Sequence, residues 1–171
     1  MTNLPNYTDY DALGLAELVR KREITPSELK EDALGAIAAL NPELNCVVGD
    51  LSEQAERALD VGLPEGPFTG VPFLIKEIGV QAAGSTFRMG SKLCDGFVSN
   101  ADTELMRRFR RAGLLTIGTT PTPEFGFNPT CESDLHGPTH NPWDLTRSPG
   151  GSSGGAASAV AARILPMAHA N

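Results

Sequence analysis

The stretch from Ser148 to Ala162 constrains the fold most, because four glycines surround a pair of serines and small residues follow. Its letters are SPGGSSGGAASAVAA. Glycine is favoured where the backbone takes a positive φ or passes close to another group. The alanine-rich continuation has high helix propensity and little bulk. We therefore predict a tight loop that leads into a closely packed helix, with the hydroxyls of Ser152 and Ser153 pointing into the space that the loop surrounds.

Three functions compete for this loop. Glycine-rich loops at helix starts bind phosphate through backbone N–H groups, but no lysine follows Gly155, and adjacent glycine pairs do not match the dinucleotide pattern. A flexible linker fits the composition, whereas Pro149 before the glycines and the apolar helix after them favour a packed position. The third function is catalysis, in which the loop holds serine hydroxyls beside a base.

A basic residue follows a short apolar run. The residues from Val71 to Ile75 are continuously apolar, which is typical of a buried strand, and Lys76 comes next. Taken alone, this lysine fits a surface position in which its stem packs on apolar groups and its ammonium reaches solvent. If it is buried instead, its pKa falls toward neutrality and it can act as a base.

Length and charge limit the partners that we expect. The chain has 171 residues, the length of one domain, and a formal net charge of −7, which disfavours direct binding of nucleic acid. No apolar run approaches the length of a membrane span. Three widely separated cysteines without a C-x-x-C pattern indicate a reduced, cytoplasmic location.

Residues 1 to 62 read as a helical layer. Asp11 can cap a first helix, and Thr25-Pro26-Ser27-Glu28 has the pattern of a capping box at the start of a second. Asn41-Pro42 is expected to end that second helix. The residues Cys46-Val47-Val48 can form a short strand, and a third helix is predicted from Leu51 to about Val61.

Residues 63 to 171 alternate between strand and helix patterns, which argues for an α/β fold with a parallel sheet. The predicted order is a strand over 71–75, a helix over 101–112, a strand over 114–117, a helix over 156–163 and a strand candidate over 164–168. Ser99 or Asn100 is expected to cap the first of these helices, and Leu105, Met106 and Phe109 form its apolar side.

Four blocks of this sequence resemble the amidase signature family of hydrolases, in the family's order and at plausible spacing. They are GVPFLIKE at 70–77, TTPTPEF at 119–125, NPW at 141–143 and SPGGSSGG at 148–155. Together they span about residues 65 to 171. The family's lysine strand usually ends in Lys-Asp, so Glu77 is a conservative departure.

The resemblance implies a fold, an activity and a set of site residues. The fold is α/β, with a mixed, largely parallel sheet flanked by helices, an N-terminal helical layer over 1–62 and the first part of the core over 63–171. The activity is hydrolysis of an amide C–N bond by a Ser–cis-Ser–Lys triad. Lys76 matches the lysine, Ser152 the cis-serine that follows a cis peptide bond, and Ser153 an auxiliary hydroxyl. The stretch Gly126-Phe127-Asn128 matches residues that line the substrate cleft.

One element of the family's pattern is not found in this sequence. The acylated serine of the family lies roughly two dozen residues after the cis-serine, and here only Ser158 follows Ser153 before Asn171. We therefore expect the N-terminal part of a longer amidase, inactive alone, whose partners are its own missing C-terminal part and a small-molecule amide, with a homodimer as one option for assembly.

The substrate is left open by the sequence. The stretch from Leu165 to Ala170 is similar to that of family members that hydrolyse cyclic amides, such as the 6-aminohexanoate cyclic-dimer hydrolases. Subunits of tRNA-dependent amidotransferases share the same core and are one alternative. A truncated, non-catalytic binding domain is the other.

A metal site and a nucleophile elbow are not predicted. His136 and His140 have the i, i+4 spacing of a helical metal site, but Gly137 and Pro138 between them oppose a helix, and zinc requires three or four ligands. No Gly-x-Ser-x-Gly elbow occurs. We expect no metal and no cofactor.

Overall fold

The computed structural model of the protein describes residues 3–171; residues 1 and 2, the start of the predicted helical layer, lie outside the described residues. The helices are α1 (Ala12–Arg20), α2 (Pro26–Leu44), α3 (Ser52–Val61), α4 (Glu104–Arg111) and α5 (Gly154–Ala161). Three 3-10 turns cover Tyr7–Asp9, Lys92–Cys94 and Glu124–Gly126. The strands are β1 (Gly49–Asp50), β2 (Pro72–Lys76), β3 (Leu115–Thr120), β4 (Glu132–Ser133) and β5 (Gly137–Pro138).

The main sheet is small and mixed. Its strand order is β1-β3-β2. Strands β2 and β3 run parallel with α4 between them in the chain, as the strand–helix–strand pattern predicted, and Lys76 lies opposite Thr120. Strand β1 pairs antiparallel with β3, so the sheet is mixed, as the family resemblance implied. Strands β4 and β5 form a separate antiparallel hairpin.

Strand β2 is apolar from Pro72 to Ile75, and both of its faces are covered. All five of its residues are buried. Phe73 and Ile75 join a core that includes residues of α1, α2 and α4, whereas Leu74 joins a second core with residues of α2, α3 and α5. A continuous apolar run is the pattern expected for a strand that is packed on both sides.

The predicted caps set the starts of the first two helices. The carboxylate of Asp11 accepts a hydrogen bond from the Gly14 N–H at 2.7 Å. Thr25 Oγ1 accepts from the Glu28 N–H at 3.2 Å, and Glu28 Oε2 accepts from the Thr25 N–H at 2.8 Å. This pair satisfies two N–H groups that would otherwise lack a partner at the helix start, and it confirms the capping box.

The prediction that α2 ends at Asn41-Pro42 is wrong. The helix continues to Leu44 and ends at Asn45, which adopts the left-handed conformation. Pro42 lies within the last turn, where its missing N–H removes only one intrahelical bond. Asn41 instead supports the chain beyond the helix, because its Oδ1 accepts from the N–H groups of Cys46 and Val47 at 2.8 and 2.9 Å.

Helix α4 begins later than predicted. Its N-cap is Thr103, not Ser99 or Asn100, and its first residue is Glu104. The residues before it pair with the loop around residue 84 instead: the Ser99 N–H donates to the Ser85 carbonyl at 2.9 Å, and the Asp102 carboxylate accepts from the Ala83 N–H at 2.8 Å.

The bounds of several other elements also differ from the sequence prediction. Helix α5 covers Gly154–Ala161, so it starts two residues before the predicted Ala156 and ends two before Arg163. The first strand is Gly49–Asp50, directly after the predicted residues 46–48. The predicted strand over 164–168 is reduced to one parallel bridge between Leu74 and Ala168, which the His169 N–H extends by donating to the Leu74 carbonyl at 2.9 Å.

The predicted division of the chain at residue 62 stays a prediction. Helices α1, α2 and α3 all lie before it, yet β1 from the same segment pairs with β3 from the second. Across residues 3–171, none of the helices combines the length and the apolar character needed to cross a membrane.

The apolar side of α4 is narrower than predicted, and this gives a stability test. Met106 is fully buried, whereas the neighbouring Leu105 keeps 38% of its surface exposed. We expect Met106→Ala to lower the free energy of unfolding by about 2–5 kcal/mol, because it leaves a cavity in the core. Leu105→Ala is the matched control and should cost less than about 1 kcal/mol. Urea denaturation of both variants measures the difference, and equal losses would contradict the assigned packing.

Candidate active site

The end of β2 carries a lysine that is completely buried. Lys76 is the last residue of the strand and exposes none of its surface. Its Nζ lies 2.7 Å from Ser152 Oγ and 2.9 Å from Ser153 Oγ. Lys76 therefore meets both serines of the loop, although they lie 76 and 77 positions further along the chain.

The serines reach the lysine because the loop before α5 is tightly packed. The peptide bond between Gly151 and Ser152 is cis. A Cβ on Gly151 would lie 2.6 Å from the Thr130 carbonyl oxygen, and one on Gly155 would lie 2.5 Å from Pro121 Cδ. These approaches require glycine. The loop is thus a packed structural element, which excludes the flexible linker considered above.

The pKa of Lys76 depends on its burial and on the ionisable groups nearby. Burial lowers the pKa of Lys76, and the nearby thiol of Cys131 opposes this effect in part. Burial also raises the pKa of Cys131 and, together with the charge of Lys76, lowers the pKa of His169. A lower pKa increases the share of the neutral amine, which accepts protons, so the direction of the shift suits a base.

Sequence reasoning missed a third partner of the lysine. Lys76 Nζ donates a hydrogen bond to Asn171 Oδ1 at 2.7 Å. The backbone of Asn171 also meets Ser153, whose Oγ accepts from the Asn171 N–H at 3.2 Å and donates to the Asn171 carbonyl at 2.9 Å. The apolar stretch over 164–168 was the available signal, since a segment that runs parallel to β2 carries residue 171 to the end of that strand.

Glu77, where the family's strand usually carries aspartate, is buried and has its own partners. Its Oε1 accepts a hydrogen bond from the Gly90 N–H at 3.0 Å and lies 2.9 Å from His136 Nε2. Arg88 Nε lies 3.8 Å from Glu77 Oε2. The carboxylate therefore contacts the hairpin and the loop around residue 90, and its contacts do not include the serines.

Two open clefts lie around the predicted site residues. One, of about 560 Å³, is bordered by the serine loop together with Ala170 and Asn171. Gly126 is close to the serines, because a Cβ built on it would lie 3.9 Å from Ser152 Oγ. Phe127, which is 94% exposed, and Asn128 line the second cleft, and neither Lys76 nor the two serines borders it.

The two histidines considered for a metal site have separate partners. His136 lies in the β4–β5 hairpin region and contacts Glu77, and His140 Nδ1 lies 2.8 Å from the Leu145 carbonyl. The strand Gly137–Pro138 between them shows that the segment is not helical, as predicted. Within the part of the chain that the structure describes, no three or more potential ligands cluster to hold a metal.

Comparison with known proteins identifies the family. The model of the family described as amidase matches residues 28–171. The chain belongs to the amidase family. The match takes in the lysine strand, the serine loop and Asn171, so every contact of Lys76 described above lies inside the region that is shared with other amidases.

Relatives of this chain include hydrolases and components of amidotransferases. The 6-aminohexanoate-cyclic-dimer hydrolase of Paenarthrobacter ureafaciens is 43% identical over 163 residues, covering 94% of this chain and 33% of that protein. A glutamyl-tRNA(Gln) amidotransferase subunit of Acidothermus cellulolyticus is 37% identical over 164 residues, covering 92% of this chain and 32% of that protein. The chain spans about a third of the length of the curated relatives it matches.

A solved amidase has the same fold over the shared region. The structure of a 6-aminohexanoate cyclic dimer hydrolase complexed with substrate superposes with a TM-score of 0.89 at 41% identity. The match covers 96% of this chain and 34% of the solved one. The mixed sheet and its flanking helices are therefore those of this part of the amidase fold.

The close packing of Gly155 in the serine loop can be tested directly. We expect Gly155→Ala to lower the free energy of unfolding by about 1–3 kcal/mol, because the added methyl would overlap Pro121. Gly35→Ala is the control, since nothing lies within 4 Å of its Cβ and α2 should gain up to about 1 kcal/mol. Thermal unfolding of both variants checks the prediction, and stabilisation by both would refute the close packing of the loop.

Proposed function

We propose that the chain supplies the base and the proton relay for hydrolysis of a carboxylic amide. The observation that carries this proposal is the buried Lys76 Nζ, which lies 2.7 Å from Ser152 Oγ. Amide hydrolysis needs a nucleophile, a base that accepts its proton and donors that stabilise the oxyanion. Lys76 is the proposed base, because burial lowers its pKa. Ser152 is the proposed relay between this base and the nucleophile.

The nucleophile in this proposal is a serine outside these 171 residues. Ser158, the only serine after Ser153, is buried in α5 and donates its hydroxyl hydrogen bond to the His140 carbonyl at 2.8 Å. It therefore does not face the substrate cleft. Because the chain spans about a third of its relatives' length, we place the nucleophile in the remainder of a longer polypeptide.

The proposed reaction proceeds through an ester between the enzyme and the acyl group. The nucleophilic hydroxyl loses its proton through Ser152 to Lys76, and its oxygen forms a bond to the amide carbon. The C–N bond then breaks, and the proton returns from Lys76 through Ser152 to the leaving amine. Water hydrolyses the ester by the same relay and restores the serine.

The auxiliary and binding residues complete this proposal. Ser153 holds the lysine from a second side at 2.9 Å and fixes the chain at Asn171. Gly126, which lies beside Ser152, is proposed to border the substrate. Phe127 and Asn128 line the separate cleft, so we propose that they contact only a substrate long enough to reach both clefts.

The relatives indicate which amides to test first. The hydrolase relatives are named for the cyclic dimer of 6-aminohexanoate, so this cyclic amide is the proposed first substrate. The amidotransferase relatives make the alternative function that of a subunit of a tRNA-dependent amidotransferase, which is one component of a larger enzyme. Hydrolysis of the cyclic dimer without partner proteins favours the first function. Failure of the complete polypeptide to hydrolyse amides, with or without partner proteins, favours a non-catalytic binding domain.

Replacing the base or the relay tests the proposed mechanism. In the polypeptide that hydrolyses amides, Lys76→Ala and Ser152→Ala should each lower kcat by about 10²–10⁴-fold, because proton transfer to the base is lost. The rate is measured from the free amino group that appears when one C–N bond of the cyclic dimer is hydrolysed and the ring opens to the linear dimer.

Matched substitutions elsewhere separate chemistry from folding. Lys92→Ala and Ser27→Ala change the same residue types away from the site and should keep nearly full activity. If Lys76→Ala and Ser152→Ala also keep nearly full activity, the proposed mechanism is wrong.

Treatment with a chelator tests whether the histidines take part. His136 is engaged with Glu77 and His140 with the Leu145 carbonyl, so we expect EDTA to leave amide hydrolysis unchanged. The rate is compared before and after dialysis against EDTA. Loss of activity that zinc restores would require a metal site at these residues.

A further inference from the structure

We infer that Asn171 is a positioning residue that aims the unshared electron pair of neutral Lys76 at Ser152. The inference rests on the proposed function, in which Lys76 is the base. Lys76 Nζ has three oxygen neighbours, and the protons and electron pairs of these four atoms limit how they can be hydrogen-bonded. No sequence motif singles out Asn171, so its proposed role follows from the geometry alone.

The hydroxyl of Ser153 is fully used by its neighbours. A serine hydroxyl has one proton to donate and two electron pairs to accept with. The proton goes to the Asn171 carbonyl at 2.9 Å, and one electron pair accepts from the Asn171 N–H at 3.2 Å. One electron pair remains, and Lys76 Nζ lies 2.9 Å away. Ser153 can therefore only accept from the lysine.

The same restriction applies to the side chain of Asn171. Its Oδ1 lies 2.7 Å from Lys76 Nζ, and an amide oxygen accepts hydrogen bonds but never donates them. A neutral amine has two N–H groups and one electron pair. Ser153 and Asn171 each take one N–H, so the electron pair is left for the third direction, in which Ser152 Oγ lies at 2.7 Å.

Ser152 is free to respond to that electron pair. Within residues 3–171, the amine of Lys76 is the sole hydrogen-bond partner of Ser152 Oγ. Its proton can therefore move to the amine without breaking another bond. Without Asn171, the amine could rotate and turn an N–H toward Ser152, which would make the lysine a donor where a base is needed.

The structure holds Asn171 firmly in this position. Ala168 forms a parallel bridge with Leu74, and the His169 N–H donates to the Leu74 carbonyl at 2.9 Å. The segment then runs alongside β2 and reaches the level of Lys76. On its other side, Gly79 has a φ of +87° and lacks the Cβ that would overlap Asn171 Nδ2.

The titration of Lys76 provides a direct test. The chain has four lysines, which are Lys21, Lys30, Lys76 and Lys92. Of these, only Lys76 has no exposed surface. The chain is labelled with ¹³C-lysine, and the side-chain signals are followed by NMR as the pH is raised. Residue 171 is amidated so that no terminal carboxylate adds charge near Lys76. Cys131 and His169, whose charges interact with this amine, and the buried carboxylate of the adjacent Glu77 are the same in every variant.

Two variants of Asn171 should move the pKa of Lys76 in opposite directions. Asn171→Leu removes an acceptor that stabilises the ammonium form, so we expect a lower pKa. Asn171→Asp places a carboxylate beside the amine, so we expect a higher one. Asn100→Leu, at an exposed position, is the control and should leave the titration unchanged.

Rates of amide hydrolysis give a second readout. In the active polypeptide, Asn171→Leu should lower kcat by about 10–100-fold with little change in KM, the loss expected when one hydrogen bond to a charged group no longer orients the base. Asn171→Asp should move the acidic limb of the kcat profile to higher pH, because the base stays protonated over a wider range.

The two readouts distinguish the inference from the proposed function. If no polypeptide that contains these residues hydrolyses amides, the proposed function fails, while opposite pKa shifts still establish the contact between Asn171 and Lys76. If amides are hydrolysed but neither variant moves the pKa or kcat, the inference alone is overturned. An ordinary lysine pKa in both variants would mean that the site has opened, which also overturns a positioning role.

Discussion

The burial of the Lys76 amine is the constraint on which the rest of the site depends. An ammonium group without exposed surface loses its hydration, and this lowers the pKa of the lysine. The burial of Lys76 requires that both faces of β2 are packed against other elements, and the two apolar cores provide this packing. It also requires hydrogen-bond partners for the amine, because an unpaired buried polar group is costly. Ser152, Ser153 and Asn171 are those partners.

The serine loop provides two of these hydrogen-bond partners because it packs close to its neighbours. Gly151 and Gly155 lie so near Thr130 and Pro121 that any side chain at these positions would overlap them. The close approach fixes the start of α5, and with it both serines, at hydrogen-bond distance from the lysine. The small residues of this segment thus have two effects. They allow the loop to lie close to Thr130 and Pro121, and they leave the serine hydroxyls as the polar groups of the loop that face Lys76.

The sequence was most informative where one local pattern decides the structure. The capping residues Asp11 and Thr25 act as predicted, the apolar strand and the glycine loop are both present, and Lys76 lies within hydrogen-bond distance of both serines. Prediction failed where tertiary contacts outweigh local preference. Pro42 stays within α2. The residues just before α4 lie outside that helix, where the Asp102 carboxylate accepts hydrogen bonds from Ala83 and Arg110.

Asn171 shows a second reason why sequence-based prediction fails, because the position of this residue depends on pairing between segments almost 100 residues apart. No motif marks it, and its contact with Lys76 follows from one parallel bridge beside β2. The same bridge explains why the site is assembled from the ends of neighbouring segments: in a parallel arrangement, residues that follow each segment arrive at the same edge. The chemistry at that edge is then set by how many donors and acceptors meet there. With two acceptors committed to the lysine, the electron pair of the neutral amine has one remaining direction, and that direction is Ser152.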